Sequence, residues 1–193
     1  MRVLFAGSPS LAVPCLARIA RERDVCAVLT AADQPAGRGR TFTPTPVKET
    51  AVSLGIRVLQ PERLDERAME DVKSCSPDIL VVAAYGRIFK KEFLDLFPLG
   101  GINVHPSLLP RYRGPSPIAA AIIAGDAITG VTIQRIALSF DTGDILAQAR
   151  FPLGGDESAG SLGESLAAIG ADLLSSVLGD MAEDRAPMAV TQC

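Results

Sequence analysis

The chain of 193 residues contains no tryptophan, two tyrosines and a single histidine. One imidazole cannot complete a zinc site alone, and the four cysteines offer no help. Cys15, Cys26, Cys75 and Cys193 form no Cys-x-x-Cys pair, so no metal is expected, and the thiols read as free cysteines of a reducing compartment. Cys15 and Cys26 lie in apolar stretches, where a reduced thiol behaves as a small hydrophobe. No run approaches the roughly 18 continuous apolar residues of a membrane span. The apolar run of "MRVLFAGSPS" is too short for a signal peptide. A soluble cytoplasmic protein, monomeric and free of membrane contact, is expected. Positive charge is scarce too: 19 Lys and Arg stand against 22 Asp and Glu, a net charge of -3. That excludes a surface basic overall, so any nucleic-acid contact must be a local patch.

What is present is a pattern of short apolar runs alternating with amphipathic segments. This predicts an α/β fold of one domain, a Rossmann-like, mostly parallel sheet with helices on both faces. "RVLFAG", "DVCAVLT", "IRVLQP", "DILVVAAYG" and "GINVH" read as strands. The fourth of these is the most hydrophobic and is expected at the centre, buried on both faces. Helices are expected over residues 11–23, from Pro46, over 64–75 and over 116–125, with residues 31–45 as a long polar loop. "GVTIQRIA" and "DILAQARFPL" stand too close for a helical crossover, and predict an antiparallel hairpin at one edge of the sheet. "ESAGSLGESLAAIGADLLSSVLGDM" reads as a long closing helix. The tail from residue 183 to 193 has no periodicity and reads as the start of a linker.

The lone imidazole occupies a telling place. Strand side chains alternate, so Asn103 and His105 project to the same side. They stand at the carboxyl end of their strand, where open α/β sheets hold ligands. An amide donor beside an imidazole can stabilise an oxyanion and move a proton in acyl transfer. The alternative is a histidine that merely hydrogen-bonds a loop backbone. "FDTGD" is the second candidate. Its aspartates, Asp141 and Asp144, suit a turn, yet Asp144 begins a strand, from which its carboxylate would reach the imidazole and orient it.

"NVHPSLLPRYRG" with "FDTGD" resembles the active-site signature of the 10-formyltetrahydrofolate-dependent formyltransferases. "VLFAGSPSLAVPCL", "QPAGRGRTFTPTPVKE", "VVAAYGRI" and "LAAIGADLLSSVL" extend the resemblance, in order, to about residue 192, and point to the branch that acts on aminoacyl-tRNA. The resemblance implies that Asn103, His105 and Asp144 are catalytic and that 10-formyltetrahydrofolate is the co-substrate, with no metal. It implies a folate pocket from Tyr85, Gly86, Arg87 and Ile88, from Ser107, Leu108, Leu109 and Pro110, and from Asp141, Thr142 and Gly143. The acceptor it implies is the amino group of initiator methionyl-tRNA, in translation initiation. The chain departs from the family at "RIALSF", where M-D-x-G-L is usual, and at Ser116–Ala119; neither touches the three catalytic positions.

Relatives with other acceptors share Asn-x-His: the glycinamide ribonucleotide and nucleotide-sugar formyltransferases, and the formyltetrahydrofolate hydrolases. The segment from Asp33 to Lys48 discriminates, because Arg38, Arg40 and Lys48 concentrate positive charge in an otherwise acidic chain. By resemblance to the branch's own loop they are the expected tRNA contacts. A folate-binding fragment with little activity is the remaining alternative. The resemblance implies residues 1–182 as the catalytic domain, with a C-terminal β-barrel domain lying beyond the linker and absent from this chain.

Overall fold

The computed structural model describes residues 1–36, 41–183, 185 and 188–192. Seven strands form one sheet: β1 (Arg2–Gly7), β2 (Asp24–Leu29), β5 (Val58–Leu59), β6 (Ile79–Ala83), β7 (Gly101–His105), β8 (Ile128–Arg135) and β9 (Ile145–Pro152). Their order is β5-β2-β1-β6-β7-β8-β9. All pairings up to β7 are parallel, and β8 and β9 run antiparallel at the edge. The remaining strands, β3 (Gln34–Ala36) and β4 (Thr41–Thr43), form a separate antiparallel ribbon. The expected loop over residues 31–45 therefore contains two short strands. Their three residues each are too few to show a period in sequence.

The helices begin where the local chemistry allows. α1 (Val13–Glu22) carries Pro14 in its first turn, where the missing N–H costs nothing. α2 (Pro46–Ser53) is capped by Thr45, whose hydroxyl accepts from the Lys48 N–H, and α3 (Glu66–Ser74) by Asp65, which accepts from Ala68 N–H. α4 (Lys91–Leu94) and α5 (Pro117–Ile123) are short. α6 (Ala159–Ala182) opens on a capping box between Ser158 and Ser161.

Alternation along β1 divides the core. Val3 and Phe5 join Cys15, Leu16 and Ile19 of α1 and Leu174 and Leu178 of α6 on one face. Leu4 and Ala6 join Val72 of α3 and the Phe89, Phe93 and Phe97 cluster on the other. Each fully buried Leu, Ile or Phe contributes about 1.5–3 kcal/mol relative to exposure. α6 lies close on the sheet: a Cβ at Gly170 would stand 3.0 Å from Val104 Cγ1. By length and composition α6 would also suffice to cross a membrane. Here Leu162, Leu166, Leu174 and Leu178 are buried against α1 and the sheet.

Ile102, Val104, Val131 and Ile133 face the α6 side. The alternate residues Asn103, His105, Thr132 and Gln134 therefore share the opposite face, paired Asn103 with Gln134 and His105 with Thr132. This polar row underlies the site.

Candidate active site

A cleft of about 680 Å³ opens at the carboxyl ends of β6 and β7. One wall is the end of β6 and the chain after it, residues 82–89, and the opposite wall is residues 134–141 from the end of β8 into the turn. Asn103, His105 and Asp141 stand together on its lining. Asp141 Oδ1 accepts from Asn103 Nδ2 at 3.2 Å and lies 3.5 Å from His105 Nδ1. Gln134 Nε2 donates to the same oxygen at 2.7 Å, and the Gly114 N–H donates to Oδ2 at 2.9 Å. His105 is 4% exposed. Its Nε2 donates to the Tyr112 carbonyl at 2.9 Å, which places one ring proton on Nε2 and turns Nδ1 toward Asp141.

The structure does not bring Asp144 to this pair. The Asp144 carbonyl accepts from Arg135 N–H at 2.8 Å, so the residue closes the neck of the β8–β9 hairpin. Its carboxylate makes no hydrogen bond or ion pair among the described residues. Asp141 takes the position instead because the turn ahead of that neck folds back over β7. Asp141 itself adopts a left-handed conformation, φ 49°, and the backbone at Gly143 presses on the hairpin. A Cβ there would fall 1.8 Å from the Arg135 carbonyl oxygen, so only glycine fits.

Of the positions expected to hold folate, Tyr85, Gly86, Arg87, Ile88 and Asp141 line the cleft. Ser107, Leu108, Leu109 and Pro110 do not; they build the floor of the loop beneath it. Ser107 Oγ donates to the Arg111 carbonyl, the Leu109 N–H donates to Thr132 Oγ1, and Gln148 Nε2 donates to the Leu109 carbonyl. Thr142 and Gly143 belong to the turn outside the lining, with the Thr142 hydroxyl donating to the Ser139 carbonyl. Arg38 and Arg40 lie outside the described residues. Lys48 is engaged within the chain, its Nζ 2.6 Å from Asp33 Oδ2, while Gln60 Nε2 donates to Asp33 Oδ1. Those two donors, Gln60 first, hold the Asp33 carboxyl below the usual carboxylate range.

Gln134 is the residue that sequence reasoning passed over. It is 1% exposed and joins Asp141 to the sheet. A signal existed: in "VTIQ", Thr132 and Gln134 alternate with Val131 and Ile133, and a buried polar alternation beside Asn103 and His105 needs partners. Ala84, Arg113, Leu138 and Phe140 also line the cleft. Cys15 is on the lining, but burial pushes its thiol up to about 12, so it is no nucleophile at neutral pH. Burial also raises the Tyr85 phenol, the nearby Arg87 guanidinium opposing only in part, and the buried hydroxyl has no hydrogen-bond partner among the described residues. Among those residues no group of three His, Cys, Asp or Glu side chains gathers to hold a metal ion.

The sequence and the fold are similar to those of known proteins. The sequence model of the formyl transferase family matches residues 1–178. The methionyl-tRNA formyltransferase of Roseiflexus sp. (strain RS-1) is 50% identical over 177 residues, 90% of this chain and 54% of that protein. That of Borrelia duttonii (strain Ly) is 50% identical over 153 residues, 79% of this chain and 50% of that protein. The chain thus spans about half the length of these relatives. Among solved structures, phosphoribosylglycinamide formyltransferase from Bacillus halodurans superposes with a TM-score of 0.76 at 25% identity, covering 94% of this chain and 97% of that one. The sugar 3N-formyl transferase WlaRD, solved with dTDP and 5-N-formyl-THF, shares the fold at a TM-score of 0.74 and 19% identity, covering 100% of this chain and 66% of that one. With a family match over most of its length and a matching fold, this chain belongs to the formyl transferase family.

Proposed function

We propose that residues 1–182 are the catalytic domain of a cytoplasmic enzyme that transfers the formyl group of 10-formyltetrahydrofolate to the amino group of initiator methionyl-tRNA. The observation that carries this reading is the convergence of Asn103, His105 and Asp141 on one cleft, in a chain half identical to methionyl-tRNA formyltransferases. Residues from 183 onward are then the start of a linker to a second, β-barrel domain.

The cleft suits a folate. Its volume of about 680 Å³ is that of a small-molecule site. Its walls at 84–88 and 137–141 offer backbone groups, and Tyr85 adds a buried hydroxyl in need of a partner. When bound, 10-formyltetrahydrofolate supplies an activated formyl carbon. Asn103 Nδ2, and the His105 ring once Nδ1 is protonated, are the donors placed to receive negative charge on the formyl oxygen as an amine attacks. The attacking amine sheds a proton and the leaving nitrogen gains one. His105 moves that proton, with Nε2–H fixed on the Tyr112 carbonyl and Nδ1 facing Asp141. Asp141, held by Gln134 and the Gly114 N–H, keeps the ring and the Asn103 amide in register. Arg38 and Arg40 are the cations proposed to meet acceptor-stem phosphates, and the Lys48–Asp33 pair ties α2 to the residue that precedes β3.

The test is formyl transfer by the purified monomer to methionyl-tRNA, glycinamide ribonucleotide and a dTDP-linked amino sugar in parallel. Formylation of methionyl-tRNA at least about a hundredfold above the other two is expected, well within what polar recognition of one acceptor over another supplies. Preference for either small acceptor, or folate binding with no transfer at all, contradicts the reading.

A further inference from the structure

Residues 188–192, beyond α6, return to the hairpin beside the cleft. Val190 and Ile145 exchange two backbone hydrogen bonds, each 2.8 Å, on the free edge of β9. This seats Gln192 over the turn that carries Asp141. Its Nε2 stands 2.6 Å from the Gly143 carbonyl oxygen, 3.1 Å from that of Asp141 and 3.1 Å from Gln134 Oε1. Its Oε1 accepts from Arg113 Nε at 3.0 Å and Nη2 at 2.8 Å. One carboxamide thus joins the end of β8, the Asp141 turn and the loop after His105.

We infer that Gln192 is a positioning residue for the Asp141 carboxylate and that residues 188–192 form a strap belonging to the active site. This rests on the formyl-transfer reading above. The need for a strap is local. Asp141 holds a left-handed backbone, which aspartate tolerates better than most non-glycine residues but still at some cost, so the turn depends on the groups that hold it. Gln134, Asn103 and the Gly114 N–H hold the carboxylate, but the backbone carbonyls of Asp141 and Gly143 are held by Gln192. The same amide binds Gln134, so it fixes the donor as well as the turn. A segment that follows the closing helix therefore reports its own position to the cleft, and any displacement of the strap is felt at Asp141.

The test compares the full chain with Gln192→Ala, Gln192→Glu and Val190→Pro. Gln192→Glu keeps acceptors for Arg113 but loses both N–H donors, and Val190→Pro removes one of the two bridge bonds. Formyl transfer and hydrogen exchange of the Thr142 and Gly143 amides are measured together. All three variants are expected to lose roughly tenfold to a hundredfold in kcat, the scale of a small misplacement. KM for the folate should stay within about twofold, because binding and positioning separate in this way. The turn amides should exchange faster. Wild-type kcat and exchange in Gln192→Ala overturn the proposal, as does a lowered melt with kcat intact. Should the unaltered chain formylate no acceptor, the functional reading fails by itself. The exchange comparison then decides the strap: faster exchange upholds it and unchanged exchange overturns it.

Discussion

Asp141 Oδ1 lies 3.5 Å from His105 Nδ1 and accepts from Asn103 Nδ2 at 3.2 Å, so one carboxylate oxygen faces both side chains at the end of β7. In the proposed reaction Asn103 has a double duty, as an oxyanion donor toward the cleft and as a partner of Asp141. Asn103→Ala is expected to lower formyl-transfer turnover about 10²–10³-fold, the usual loss for one oxyanion donor. Its side chain is half-buried at the cleft, so the melting temperature should barely move. Steady-state kinetics beside a thermal melt checks both halves.

Gln134 supports the site from inside the sheet. At 1% exposure it cannot exchange its lost partners for water. Gln134→Leu leaves Asp141 Oδ1 short of its 2.7 Å donor and takes an acceptor from Gln192. A loss of about 1–3 kcal/mol in chemical denaturation is expected, the cost of a buried group left unsatisfied. Turnover should fall alongside it.

His105 is also held from its far side. The Tyr112 carbonyl that accepts from Nε2 belongs to a residue in left-handed conformation, φ 56°. The Tyr112 hydroxyl is anchored on Asp126 Oδ2 at 2.8 Å, and Arg111 Nη2 on Asp126 Oδ1 at 2.8 Å. The Tyr112 hydroxyl first, then Arg111, hold the Asp126 carboxyl below the usual carboxylate range. A carboxyl with a depressed folded value contributes stability that is present above its unfolded value, near 3.9, and lost as pH falls through the folded one. Asp126→Ala should therefore melt lower than the unaltered chain at neutral pH, with the gap closing below about pH 4. Thermal melts of both across pH 2–7 read this directly.

How much of this was legible in the sequence differs from element to element. "GINVH" is the β7 strand to the residue, because glycines bound it and a loop follows. The antiparallel hairpin at the sheet edge follows from a connection too short for a crossover. The β3–β4 ribbon and α4 are too short to show a period. The choice between Asp141 and Asp144 was closed to sequence reasoning for a different reason. The two are three residues apart, and which one meets His105 is set by the left-handed turn at Asp141 and the contact of Gly143 with the Arg135 carbonyl. The signal for Gln134 was weak, because a polar residue alternating along a strand looks the same whether its face meets water or a loop. Here the loop after β7 covers that face, with Leu109 bonded to Thr132 and Gln148.

The most direct measurement compares kcat/KM for methionyl-tRNA formylation in Asp141→Asn and Asp144→Asn. The amide is nearly isosteric with the carboxylate but carries no charge to hold the His105 ring and its proton. Asp141→Asn is expected to fall about 10²–10⁴-fold, the range for losing proton-transfer assistance. Asp144→Asn should stay within about twofold, within half a kcal/mol, because its carboxylate meets neither Asn103 nor His105. Full activity in Asp141→Asn with a crippled Asp144→Asn would contradict the site described here.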